Sequence, residues 1–255
     1  MRAGIARPER VTIAGVDIDR YTFDESVDVI LNHVLSNGSP EYVVTPNAQH
    51  IVDLQRDAEF QRIYRKAFLV VPDGVPLLWA AKFLQDPLRG RVNGTDLFER
   101  LAEVAAQHRL KVFLMGGRPG AADRAATVLQ NRHPGLQITG TYCPPFGFEK
   151  DPAELQRISD AVRDAAPDIL FVGLGAPKQE KWIEQNYQAL GVPVSLGIGV
   201  SFEFVAGMVQ RAPKFMQKTG LEWFFRLLME PRRLWKRYVV GNTVFLLMVL
   251  KQRFS

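Results

Sequence analysis

The sequence predicts an α/β protein: a parallel sheet flanked by helices, carrying a basic amphipathic helical appendage at its C-terminal end. Three observations lead there. The run at 68–71 is apolar on both faces, as a strand covered on each side by helices must be, and further apolar strands recur at 112–115, 169–172 and 192–196. Most of these runs end in glycine or a small polar residue, and helical segments lie between them. Residues 208–255 hold ten Lys or Arg against two Glu, a charge of +8, interleaved with aromatic residues.

At 255 residues, with 47% hydrophobic and 23% charged content, the chain is long enough to bury a full core. The change in character near Met208 divides it into an α/β core, 1–207, and a tail, 208–255. One cysteine, Cys143, excludes an intrachain disulfide, and the opening MRAGIARPERV lacks the apolar stretch of a signal peptide, so a cytoplasmic location is expected. Four scattered histidines without HExxH or paired Cys spacing predict no metal site. The net charge is +5, so the segment before the tail sums to −3.

Residues 11–21 alternate around Gly15 and read as a peripheral hairpin or edge strand. Asp17 and Asp19 form a DxD pattern, which metal-dependent glycosyltransferases use to hold a divalent cation; a solvated strand face explains the pair better. Thr22 with Glu25 makes a capping box for a helix to about residue 35. The next strand, 42–45, runs into Thr45 and Asn47, the latter suited to cap a following helix.

The run at 68–71 stops at Pro72, which cannot continue a ladder, and presents Asp73 and Gly74. Those two residues suit a turn and helix cap, and equally a carboxylate delivered to the edge where open parallel sheets bind ligands. Arg91 follows in RVNGTDL, as a surface charge or an anion ligand. Gly116 and Gly117 stand between strand and helix, where backbone N–H groups suit a phosphate. A dinucleotide site would also need an acid about 20 residues on, and LQITGTY has none. Cys143, in a Pro and Gly loop, reads as structural. In GLGAPKQEKW, Gly173 and Gly175 permit close backbone approach, while Lys178 and Gln179 offer a charge and an amide. No Walker loop is present. Thr45, Asn47, Asp73, Gly116, Gly173 and Gly197, if they end parallel strands, share one rim.

A basic tail suits nucleic acid, acidic lipid or a phosphorylated ligand. Its aromatic residues, Trp223, Phe224, Phe225, Trp235 and Tyr238, favour a helix lying in a headgroup layer. A helix pair packed on the core explains the apolar residues comparably. The run at 239–250 is 12 residues and interrupted, against the roughly 20 needed to span a bilayer. Pro231 breaks the tail into at least two helices.

The motifs VVTPNAQHIV, VVPDGVPL, RVNGTDL, FVGLGAPKQEKW, GIGVSFEFVAG and the tail from RAPKFMQKTGLEWFFRL to EPRRLWKRY occur in order. Together they resemble the WecG/TagA/CpsF family of bacterial glycosyltransferases. The resemblance implies a Rossmann-like fold, a UDP-sugar donor, a polyprenyl-diphosphate-linked sugar acceptor and inverting, metal-independent transfer in polysaccharide biosynthesis. It also implies a peripheral position on the inner face of the cytoplasmic membrane. The family's base falls on Asp73, other polar active-site positions on Thr45, Asn47, Arg91 and Gln179, and tail arginines on Arg226 and Arg233, with Lys236 or Arg237 as a further basic position. Donor contacts are expected at Arg91, Gly116, Gly117, Gly173, Gly175, Lys178 and Gln179, with no cofactor. The expected partners are the two substrates and an anionic membrane, not nucleic acid; a homo-oligomer is compatible with this reading. Two other classes stay open: a nucleotide-dependent oxidoreductase using the Gly116 loop, and a non-catalytic membrane-associated nucleotide-binding protein, which would not need Asp73 as a base.

Overall fold

The computed structural model describes residues 9–235 and 239–254, without the side chains of Lys218 and Arg233. Lys236, Arg237 and Tyr238 therefore lie outside the described residues, as does the side chain of Arg233. In chain order, β1 (Arg10–Ile13) and β2 (Val16–Asp19) lead to α1 (Phe23–Leu35) and β3 (Glu41–Val44). Then come α2 (Ala48–Leu54), α3 (Ala58–Lys66), β4 (Leu69–Val70) and α4 (Val75–Phe83). The middle of the chain runs α5 (Gly94–His108), β5 (Lys111–Gly116), α6 (Ala121–Arg132), β6 (Gln137–Tyr142), α7 (Pro152–Ala165), β7 (Ile169–Gly173), α8 (Lys178–Leu190), β8 (Val194–Gly197) and α9 (Ser201–Val205). Helices α10 (Lys214–Lys218), α11 (Glu222–Met229), α12 (Pro231–Trp235) and α13 (Gly241–Phe254) close it.

These elements fall into two units. One combines the N-terminal segment up to Ser26 with Thr45–Asn93 and the chain from Arg211; the other is Val27–Val44 with Gly94–Gln210. In the second unit the strands run β3-β8-β7-β5-β6, every neighbouring pair parallel. The apolar strands are buried along their length, as expected of a sheet covered by helices: β7 has no exposed residue. Helices α5, α6 and α9 pack together against it, and α7 with α8 form a second group. Phe98 of α5 meets Phe171 of β7 edge-on at 4.7 Å and Phe202 of α9 at 5.4 Å. Burying each such ring contributes about 1.5–3 kcal/mol. The expected α/β class with a parallel sheet is what the chain forms.

In the first unit, β1 and β2 form the expected hairpin, Val11 opposite Ile18. Asp17 is exposed and accepts from Thr12 Oγ1 at 2.6 Å. Asp19 is 1% exposed and takes Arg10 Nε and the Val70 N–H, both at 2.7 Å. The two acids therefore face different surroundings, and Asp19 is committed to holding β4. Thr22 and Glu25 form the capping box, Thr22 N–H to Glu25 at 2.8 Å and Glu25 N–H to Thr22 Oγ1 at 3.3 Å. The final helix, α13, packs on α2 and α4, and its Phe245 and Val249 are buried. Its Gln252 clamps the hairpin turn, accepting from Ala14 N–H at 2.6 Å and donating to Thr12 O at 2.8 Å. No helix among the described residues is long and apolar enough to cross a membrane.

Candidate active site

Three loops of the first unit are stitched together by their backbones. Asp73 N–H donates to Pro46 O at 2.7 Å, and Val92 N–H to Pro72 O at 2.8 Å. Both acceptors are prolines, residues that lack an N–H and fit where a chain leaves a strand. This brings the loops holding Asn47, Asp73 and Arg91 side by side.

Asn47 caps α2, its Oδ1 accepting from Gln49 N–H at 3.0 Å and His50 N–H at 3.2 Å. This cap sets the helix start at Ala48, as the sequence's capping candidate requires. Asp73 has no such role. Gly74 occupies the cap position of α4 at φ 139°, a region that favours glycine, and no side chain caps that helix. The Asp73 carboxylate turns to Asn93, whose Nδ2 donates to Oδ1 at 2.8 Å. Asn93 is buried, and Arg211 Nη2 donates to its Oδ1 at 3.1 Å, so the amide nitrogen is the end that faces Asp73.

The C-terminal segment supplies the opposite wall. Arg91 donates to Gln217 O at 3.2 Å and lies 3.5 Å from Glu222, which also stands 3.9 Å from Arg211 Nε. Gly220, at φ 77°, seats the segment on α4; a Cβ there would come within 2.8 Å of Val75. The resulting cleft is lined by Asn47, Asp73, Arg91, Asn93, Glu222 and Arg226, among others. Two guanidinium groups (Arg91, Arg226) line the cleft with two carboxylates (Asp73, Glu222), and Arg211 Nε stands 3.9 Å from Glu222 without lining it, so the arginines are placed where an anionic ligand could meet them. Chemically, the cleft offers one carboxylate fixed by an amide next to arginines suited to phosphate oxygens.

Of the residues singled out from the sequence, Asn47, Asp73, Arg91 and Arg226 meet in this cleft. Thr45 is buried at the end of the preceding strand and does not line it. Arg233 is in the first unit, its side chain outside the described residues, and Gly116, Gly117, Gly173, Gly175, Lys178 and Gln179 belong to the second unit. Gln179 is 4% exposed and its amide is used internally: Oε1 accepts from Gly175 N–H at 3.1 Å and Gly199 N–H at 3.0 Å, while Nε2 donates to Glu180 at 2.9 Å. It ties two loops together. Lys178 pairs with Glu149 at 2.9 Å and sits 5.7 Å and 5.6 Å from the ring centres of Phe146 and Phe148. The pairing holds the Glu149 carboxyl below its ordinary range. Gly116 and Gly173 are glycines for a local reason, since a Cβ on Gly116 would meet Gly173 O at 2.7 Å. Asn93, Arg211 and Glu222 were missed as site residues. Asn93 stands in a motif already noted, but nothing in its spacing pairs it with Asp73, and the other two contribute only through tertiary contact.

A parallel α/β sheet in one unit and, in the other, a cleft with a held carboxylate beside arginines are compatible with group transfer but common to many activities, so the class comes from comparison with known proteins. The family model of the glycosyl transferase WecG/TagA/CpsF family matches residues 11–255, and the chain belongs to that family. It is similar to three bacterial proteins named N-acetylglucosaminyldiphosphoundecaprenol N-acetyl-beta-D-mannosaminyltransferase. The one from Bacillus spizizenii is 31% identical over 80% of this chain and 76% of its own length. The one from Bacillus subtilis is 28% identical over 94% and 91%, and that from Staphylococcus aureus strain MW2 is 29% identical over 89% and 86%.

Proposed function

We propose that this protein transfers a sugar, with inversion, from a UDP-sugar to a polyprenyl-diphosphate-linked sugar. The acceptor class follows the names of its relatives, which act on an N-acetylglucosaminyl-diphosphoundecaprenol. The observation that carries the reading is the Asp73 carboxylate, held by Asn93 in a cleft that Arg91 and Arg226 also line. Inversion needs one base to take the proton from the acceptor hydroxyl as its oxygen attacks the anomeric carbon and the bond to the diphosphate breaks. Asp73 is that base. The charge growing on the departing diphosphate is met by Arg91 and Arg226. No group of three His, Cys, Asp or Glu suited to a metal occurs among the described residues, and in this reading the arginines take the part a divalent cation would otherwise play.

The C-terminal segment has two tasks in this reading. Glu222 and Arg226 complete the cleft while Arg211 holds Asn93, and the outward side chains Leu228, Met229, Trp235, Leu246 and Leu247, all about half exposed or more, rest on an anionic membrane surface with the segment's cations. The acceptor's lipid places the reaction at that surface. Incubation with a panel of radiolabelled UDP-sugars and a lipid-diphosphate sugar, with and without EDTA, tests the function. Product from one UDP-sugar, formed equally with chelator, is the expected result; no transfer from any UDP-sugar, or transfer only after Mg²⁺ or Mn²⁺ is restored, overturns the donor or the metal-independent part respectively.

A further inference from the structure

Helix α11 has two unlike faces. Leu221 at its start, Phe224 and Leu228 form an exposed apolar stripe at helical spacing, whereas Glu222, Trp223 and Arg226 line the cleft. The sequence groups Trp223 with the aromatic residues suited to a headgroup layer. Folding turns it instead to the cleft, edge-on to Phe224 at 5.8 Å. Among the described residues lining the cleft, Trp223 is the one aromatic. It is also held in place: Gly220 seats the chain against Val75, and Glu222 lies 3.5 Å from Arg91, so the indole stands on the cleft wall before any ligand arrives.

An indole adds an apolar plane to this site. Apart from Ala48, Val75 and Pro76, the other lining side chains supply carboxylates, amides and guanidinium groups, which suit hydroxyls and phosphates. A pyranose with equatorial substituents carries its hydroxyls around the rim and leaves C–H groups over each face. Those hydrogens are drawn to the negative face of an aromatic ring, and stacking the two removes apolar area from water. A phosphate gains nothing from such a plane. Of the two sugars in the reaction, the acceptor's is the one tied to a lipid. Because α11 carries the cleft wall on one face and the exposed Phe224 and Leu228 on another, a substrate reaching from the membrane to Asp73 passes along this helix.

We propose that Trp223 is a specificity-determining residue, its indole stacking on the ring of the acceptor sugar and turning the attacking hydroxyl toward Asp73. This assignment rests on the lipid-diphosphate-linked acceptor proposed above and adds which side chain reads its sugar. Titration calorimetry of wild type, Trp223→Phe and Trp223→Leu tests it with two probes, octyl diphosphate bearing N-acetylglucosamine and octyl diphosphate alone. The sugar should add affinity in wild type and in Trp223→Phe, which keeps a plane. Trp223→Leu, apolar without a plane, should bind the sugar-bearing probe about three- to tenfold more weakly, the worth of one aromatic contact, and the bare probe as wild type does. Equal weakening toward both probes puts the indole on the lipid or the diphosphate and overturns the assignment, as does wild-type binding of both. In steady-state transfer, Trp223→Leu should raise the acceptor KM by a similar factor with the donor KM unmoved; a rise in the donor KM alone overturns the assignment. Fluorescence gives a reading that does not need Trp223→Leu to fold. The chain has four tryptophans, and the sugar-bearing probe should change their emission in wild type more than the bare probe does, a difference that Trp223→Phe should abolish. A difference kept in full by Trp223→Phe overturns the assignment. Wild type that gains no affinity from the sugar overturns the acceptor reading together with it.

Discussion

Asn93 holds Asp73 by a hydrogen bond, Nδ2 to Oδ1 at 2.8 Å, and Arg211 fixes which end of the amide points that way. The bond leaves Asp73 Oδ1 engaged and orients the carboxylate. Replacing Asp73 by Asn keeps this acceptor, so Asp73→Asn should fold like wild type by circular dichroism. Transfer should nonetheless fall by about 10² to 10⁴, the usual loss for a missing general base. A folded variant with wild-type turnover removes Asp73 from that role.

Asn93→Asp places a second carboxyl group against the first. Two acids sharing a site raise one pKa, so the acid limb of the pH–rate profile should move to higher pH. Above that limb the base is again ionised and activity should recover in part. A profile that drops uniformly with an unmoved limb would mean that Asn93 serves packing alone.

Arg91→Ala and Arg226→Ala should each reduce transfer roughly 10²-fold, the scale seen when one stabilising donor is removed from a transition state. The loss should persist with a short, detergent-soluble acceptor. If either matters only on vesicles, that arginine serves the membrane and not the leaving group.

Cosedimentation with anionic vesicles should weaken as salt rises, because screening shortens the reach of the segment's cations to about 8 Å at physiological ionic strength. Leu246→Glu with Leu247→Glu should abolish binding, since both side chains are more than half exposed on α13. Transfer to a soluble acceptor should be unaffected. Unchanged vesicle binding would move the membrane contact elsewhere.

The Cys143 thiol is pushed above its ordinary pKa by burial first, then by the charges of Asp123 and Glu203. Removing one of those charges lowers it. Glu203→Gln should therefore hold more thiolate at neutral pH and react faster with iodoacetamide, the rate rising through a midpoint at lower pH than in wild type. An unshifted midpoint would show that Glu203's charge is not felt at the thiol.

Local pattern alone determined a good part of this protein. Apolar runs on β5, β7 and β8 mark buried parallel strands because both their faces must be covered, and the Thr22–Glu25 box marks a helix start because its bonds close within four residues. Asp73 and Asn47 were visible as polar residues just past strand ends. What they do was not. Asn47 spends its carbonyl on a cap and Asp73 does not cap α4, and the difference comes from Asn93, 20 residues away in sequence. The glycines of the β5 turn read as a phosphate cradle, yet two of the turn's N–H groups are already taken, one of them by Glu203. Likewise Gln179 was visible as an amide past a strand end, and folding gives that amide two neighbouring loops to bond. Spacing records what is near along the chain; an amide, a carboxylate or an N–H acquires its role from the partner that folding brings to it, and those partners, Arg211, Asn93 and Glu203, arrive from segments no periodicity connects.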